Sequence, residues 1–103
     1  MGTYVATWNI GDAFREAHFQ ALEGGGQLPE DINTLAEAHL KYVRGLKEEG
    51  KLVAGGPVVS FTWALLLLRA DSLDEAKALA ENDPAAKGGL FSNLNIEPWY
   101  HMV

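Results

Sequence analysis

Aromatic and β-branched residues fill the stretch from Thr3 to Asn9, with Tyr4, Ala6 and Trp8 on one side, which predicts a first strand ending near Gly11. From Asp12 to Glu30 the character is mixed, and Gly24-Gly25-Gly26 has the backbone freedom of a mobile loop, so the stretch is read as a loop with room for one helical turn. Beginning at Pro29 or Asp31 and running to Glu49, residues Ile32, Leu35, Ala36, His39, Val43 and Leu46 recur at helical steps and mark one face of a first helix. Gly50 stands where a left-handed C-terminal cap is wanted, and Lys47 suits the negative end of the helix dipole.

Leu52, Val53 and Ala54 then form a short second strand leading into a turn or bulge at Gly55-Gly56-Pro57. Between Phe61 and Ala70, residues Phe61, Trp63, Leu65 and Leu67 share one face and Ala64, Leu66 and Leu68 the other, so this third strand is apolar on both sides. Ser72 with Glu75 makes a capping box for a second helix that closes near Asn82-Asp83, ahead of Pro84. Leu90 to Trp99 supplies the last strand.

The order β-α-β-β-α-β predicts one α+β domain over residues 1–103 with a ferredoxin-like fold, an antiparallel four-stranded sheet with two helices on one face. The opposite face is left bare. Leaving Leu66 and its neighbours in water there costs about 1.5–3 kcal/mol per large apolar side chain, and pairing into a homodimer is the expected remedy.

Composition narrows the picture further. With 103 residues there is room for one hydrophobic core, and 48% hydrophobic against 21% charged residues suits a folded domain, not a disordered one. The net charge of -6 disfavours nucleic acid as a partner. The lack of cysteine removes disulfides, thiol nucleophiles and thiolate metal sites, and cytoplasm is the expected location. The residues after Met1 lack the basic flank and apolar stretch of a signal peptide, and the apolar run Trp63 to Leu68 is too short to span a bilayer, so neither export nor a membrane partner is expected.

Two residues stand out as candidates for chemistry. His39 occupies the apolar stripe of the first helix, where it is either a core histidine bonded to a backbone carbonyl or a group that moves protons near neutral pH. Asp83, just past the second helix, either bonds backbone amides of the next turn or reaches His39 across antiparallel helices. A carboxylate on one ring nitrogen fixes the tautomer and leaves the other nitrogen for proton transfer.

The segments Ala38-His39-Leu40-Lys41-Tyr42-Val43, Gly50 to Pro57, Ser72 to Ala76, Asn82-Asp83-Pro84 and Ile96-Glu97-Pro98-Trp99 occur in an order and spacing that resemble the YCII-related family. The resemblance runs from about His39 to Trp99; Asp12 to Gln27 lies outside it. It implies a dimeric α+β barrel with a catalytic His and Asp pair in each subunit's pocket, by position His39 and Asp83. It also implies activities such as removal of chloride from a chlorinated hydroxyquinol or, in the related muconolactone isomerases, proton movement on small lactones.

The remaining candidates are weaker. His18 is read as a solvent-facing loop histidine, with reach into the pocket left open, and His101 as a surface or dimer contact. No two histidines have helical ligand spacing, so no metal site is expected. Gly24-Gly25-Gly26, Gly55-Gly56-Pro57 and Gly88-Gly89 lack the lysine and helix start of a phosphate cradle, and no cofactor is expected. Trp8, Trp63, Trp99, Phe61 and Phe91 are read mostly as core, with a pocket wall for a flat ring as the alternative. Two functions follow: an enzyme using His39 and Asp83 for elimination, isomerisation or hydrolysis of a small aromatic or lactone-like substrate, or a non-catalytic small-ligand or interaction module.

Overall fold

A computed structural model describes residues 1–103. The elements are β1 (Gly2–Ile10), α1 (Asp12–Gly24), α2 (Glu30–Glu48), β2 (Leu52–Pro57), β3 (Trp63–Ala70), α3 (Leu73–Glu81), α4 (Pro84–Lys87) and β4 (Phe91–Trp99). The strands form one antiparallel sheet in the order β2-β3-β1-β4. This is the ferredoxin-like α+β arrangement.

The helix ends follow their sequence signals. Gly50 closes α2 at φ 77°, with Lys51 N–H donating to Leu46 O at 2.8 Å and Gly50 N–H to Lys47 O at 3.0 Å, the paired bonds of a Schellman cap. Ser72 Oγ accepts from Glu75 N–H at 3.1 Å and starts α3. Asp83 then caps α4, its Oδ1 accepting from Ala85 N–H at 2.9 Å with Pro84 at the first helical position.

Two expectations need correction. The stretch read as a loop is largely α1, a helix of 13 residues whose buried Phe14 and Ala17 face the core. Gly24 ends it and Gly25, at φ 61°, caps it, so the glycine triplet terminates a helix and is not itself the dominant feature of the segment. The second correction concerns the sheet. Leu66 lies on the helix-covered face, 5% exposed, with Ala64, Leu68 and Ala70, because antiparallel pairing sets Leu66 opposite Ala6 and Leu68 opposite Tyr4. Leu65, Leu67 and the 41%-exposed Trp63 carry the open face instead.

Between sheet and helices lies a core built from Ala6, Trp8, Ile10, Leu66, Leu68 and Phe91, with Ile32, Leu35, Ala36 and Val43 of α2 packed on it half-buried. At Gly55 a Cβ would come within 2.5 Å of Leu66 Cδ2 and 3.1 Å of Leu65 O, so glycine there is required by the close packing of β2 on β3. Trp8, Phe61 and Phe91 are buried as the core reading expects, whereas Trp63 and Trp99 stay substantially exposed.

Candidate functional site

His39 sits at the middle of α2 and Asp83 at the junction of α3 and α4, and the fold brings the two together. The His39 Nδ1 lies 2.8 Å from both Asp83 carboxylate oxygens, so one N–H points between them. Asp83 is 0% exposed and the His39 side chain 20%. A carboxylate sealed from water needs charged or N–H partners, and Asp83 has two, the imidazole and the Ala85 amide. Both readings of Asp83 therefore hold at once: it caps the next turn and it orients the ring.

Donation from Nδ1–H to the carboxylate fixes the tautomer of the neutral ring, with the proton on that nitrogen and the lone pair on Nε2. Nε2 makes no hydrogen bond within the protein, and no buried side-chain nitrogen or oxygen is left without a partner, so Nε2 is accessible. The edge-on Phe91 ring, centroids 5.2 Å apart at 81°, holds the imidazole from a second side.

One turn further along α2, Tyr42 donates its hydroxyl to Leu79 O at 2.7 Å, satisfying a carbonyl in the last turn of α3. Burial pushes the Tyr42 phenol above its ordinary value, and the negative charges of Asp83 and then Glu49 add to the rise. The hydroxyl stays a donor. On the other side, Gly88 lets α4 approach α2 closely: a Cβ there would lie 2.5 Å from Leu35 Cδ2 and 3.0 Å from Pro84 O.

His39 faces a pocket of about 330 Å³ whose wall is mostly hydrocarbon, with Trp8, Ile10, Phe14, Leu66 and Phe91 among its lining. His18 also lines it, from α1, stacked on Phe61. The solvent-facing loop reading of His18 is thus corrected. Its signal was present in the spacing of Phe14, Ala17, His18 and Ala21, one face of a short helix. His101 lies outside the pocket on the exposed C-terminal tail, its ring 5.4 Å from that of Trp99. The three histidines do not converge, and no group of three or more His, Asp or Glu side chains is placed to hold a metal ion. No helix is long and apolar enough to cross a membrane.

Comparison with known proteins agrees with this architecture. A solved structure of 5-chloro-2-hydroxyhydroquinone dehydrochlorinase (TftG) from Burkholderia phenoliruptrix AC1100, in complex with 2,5-dihydroxybenzoquinone, matches with a TM-score of 0.64 at 25% identity, covering 96% of this chain and 94% of that one. Protein YciI of Escherichia coli O6:H1 is 28% identical over 72 residues, 60% of this chain and 74% of that protein. Protein YciI of Shigella flexneri matches to the same extent. The family model of the YCII-related domain matches residues 11–100, taking in α1 as well as the motifs from His39 onward. The chain belongs to the YCII-related family.

Proposed function

We propose that the chain is a small-molecule enzyme in which His39, oriented by Asp83, moves a proton on a small aromatic or lactone-like ring. The observation that carries this reading is the Nδ1-to-carboxylate bond at 2.8 Å with Nε2 left accessible beside an apolar pocket. In an elimination, Nε2 takes a proton from the substrate and the bonding pair left behind becomes the new double bond. The leaving group departs as an anion with its own bonding pair. The imidazolium rests beside the Asp83 carboxylate until it passes the proton to water. In an isomerisation the same proton returns to another atom of the ring. The hydrocarbon wall limits water at the reacting centre and strengthens each electrostatic contact.

The dehydrochlorinase among the structural relatives supports elimination from a hydroxylated ring as the first reaction to assay. Positioned acid–base groups are worth about 10²- to 10⁴-fold in rate. Thermal stabilisation by hydroxylated aromatics, quinones and lactones identifies ligands; chloride release from 5-chloro-2-hydroxyhydroquinone is the first turnover assay. His39→Ala and Asp83→Asn are each expected to lose at least about 10²-fold. Full turnover by both variants rules the mechanism out.

The working form is a homodimer with the open faces of two sheets together. Trp63, Leu65 and Leu67 line that face and the helices leave it uncovered.

A further inference from the structure

The proton transfer makes no use of His18, although it is the second imidazole on the pocket wall. Its ring lies flat on Phe61, with centroids 3.9 Å apart and planes 4° apart, and meets Phe19 at 5.2 Å and 74°. Two aromatic neighbours set the plane of the ring, and its polar outlets are the two in-plane nitrogens. Neither nitrogen bonds to the protein. Because no buried side-chain nitrogen or oxygen lacks a partner, neither is sealed off, and the residue itself lines the pocket.

The platform under His18 is held in an unfavourable conformation. Phe61 has φ 57°, a left-handed backbone that bulky residues seldom adopt, while it is only 9% exposed. Strain of this kind persists where neighbours over-determine it. Phe61 N–H donates to Val58 O at 2.9 Å, Ile10 N–H to Thr62 O at 3.0 Å, and Arg15 Nε to Ser60 O at 3.2 Å. The turn between β2 and β3 is thereby tied to both β1 and α1, and Phe14 meets the Phe61 ring edge-on at 5.0 Å.

Apart from His18 and His39, the wall carries no ionisable side chain. An oxyanion against hydrocarbon is costly unless it meets a donor, and a few placed polar groups on an apolar wall fix a ligand's orientation. His39 is occupied by the travelling proton. We propose that His18 binds an acidic or ionised hydroxyl of the substrate, remote from the reacting centre, and so selects flat phenolic or quinonoid rings that carry one. This rests on the acid–base reading only in assigning the proton to His39. Binding at His18 is measured without turnover.

The test compares dissociation constants for 2,5-dihydroxybenzoquinone and 2,5-dimethoxybenzoquinone, the same ring with and without acidic hydroxyls. The natural chain is expected to prefer the dihydroxy compound by about tenfold or more, the range of one hydrogen bond to a charged group. His18→Phe keeps a ring to stack on Phe61 and removes both nitrogens. It is expected to abolish the preference while leaving the dimethoxy compound within about threefold. His39→Ala, by contrast, keeps the preference. Should His18→Phe not fold by circular dichroism, His18→Gln and His18→Leu give the same comparison, with Gln retaining part of the preference and Leu none. Equal affinities in the natural chain, a preference that survives loss of the His18 nitrogens, or one lost only in His39→Ala, each overturns the assignment. Loss of turnover in His39→Ala is read separately and bears on the acid–base mechanism alone.

Discussion

Tyr42 and Leu79 are joined by a 2.7 Å hydrogen bond between α2 and the last turn of α3, one helical turn from His39 and four residues before Asp83. The bond fixes the approach of the two segments that carry the site. Tyr42→Phe removes it and is expected to lower stability at neutral pH by about 0.5–1.5 kcal/mol. The raised phenol, driven up first by burial and then by Asp83 and Glu49, adds an alkaline signature. A folded-state value above the unfolded one contributes stability that is complete below about pH 10 and is lost as pH rises through the folded value. The gap between the natural chain and Tyr42→Phe should therefore stay constant up to about pH 9 and narrow as pH rises above about 10 in urea denaturation. A gap that stays constant above about pH 10 contradicts it.

Asp83 holds two partners, and two substitutions separate them. Asp83→Asn retains an oxygen to accept from Ala85 N–H, but its amide no longer fixes the proton on His39 Nδ1 as a carboxylate does. Asp83→Ala removes the helix cap as well, which is worth about 0.5–2 kcal/mol. Denaturation should rank Asn as the more stable of the two variants, while turnover should fall in both by at least about 10²-fold. Equal stabilities would show that the cap contributes nothing.

His39→Ala leaves the Asp83 carboxylate buried with the Ala85 amide as its remaining partner. Breaking a buried pair from one side costs about 3–5 kcal/mol, so a substantial loss of stability is expected alongside the loss of rate. His39→Gln, able to place an amide donor toward the carboxylate, should recover part of the stability and none of the rate. Recovery of rate with Gln would mean that a titrating ring is not needed.

Much of this site was legible in the residues because its supports are local. The N-cap at Ser72, the cap at Gly50 and the proline after Asp83 each follow from single-residue chemistry, and they fix where α2 stops and where α3 starts and stops. What escaped was relational. In β3 both faces are apolar, so alternation alone cannot say whether Leu66 or Leu65 faces the helices; the pairing of Leu66 with Ala6 decides it. The glycine triplet masked α1 in the same way, since Gly25 reads as loop until the Phe14 and Ala17 face it terminates is recognised. His18 was placed in solvent as a direct consequence.

Gly88 offers a steric test of how closely α4 must approach α2. A methyl group there meets Leu35 Cδ2 at 2.5 Å and Cδ1 at 2.6 Å, and Pro84 O at 3.0 Å, and the backbone oxygen cannot turn aside as a side chain can. Gly88→Ala is expected to destabilise by about 1–3 kcal/mol. Because Asp83 precedes α4 directly, pushing α4 from α2 also lengthens the contact with His39, so turnover should drop in the residual folded protein. Wild-type stability in Gly88→Ala would mean that Leu35 repacks freely.

The open sheet face gives the last prediction. Leu67 lies in mid-strand on it, opposite Val5 of β1 and Ala54 of β2 and two residues from Leu65 along β3. Placing a charge there buries nothing within the monomer, whose core lies on the other face with Leu66 and Leu68. Against a second copy, the same charge would be desolvated without a partner, which costs more than an interface of this kind tolerates. Leu67→Lys is therefore expected to sediment as a monomer with an unchanged circular dichroism spectrum, and the natural chain is expected to sediment as a dimer. A natural chain that is monomeric at micromolar concentration, or a Leu67→Lys dimer, removes the basis for pairing through this face.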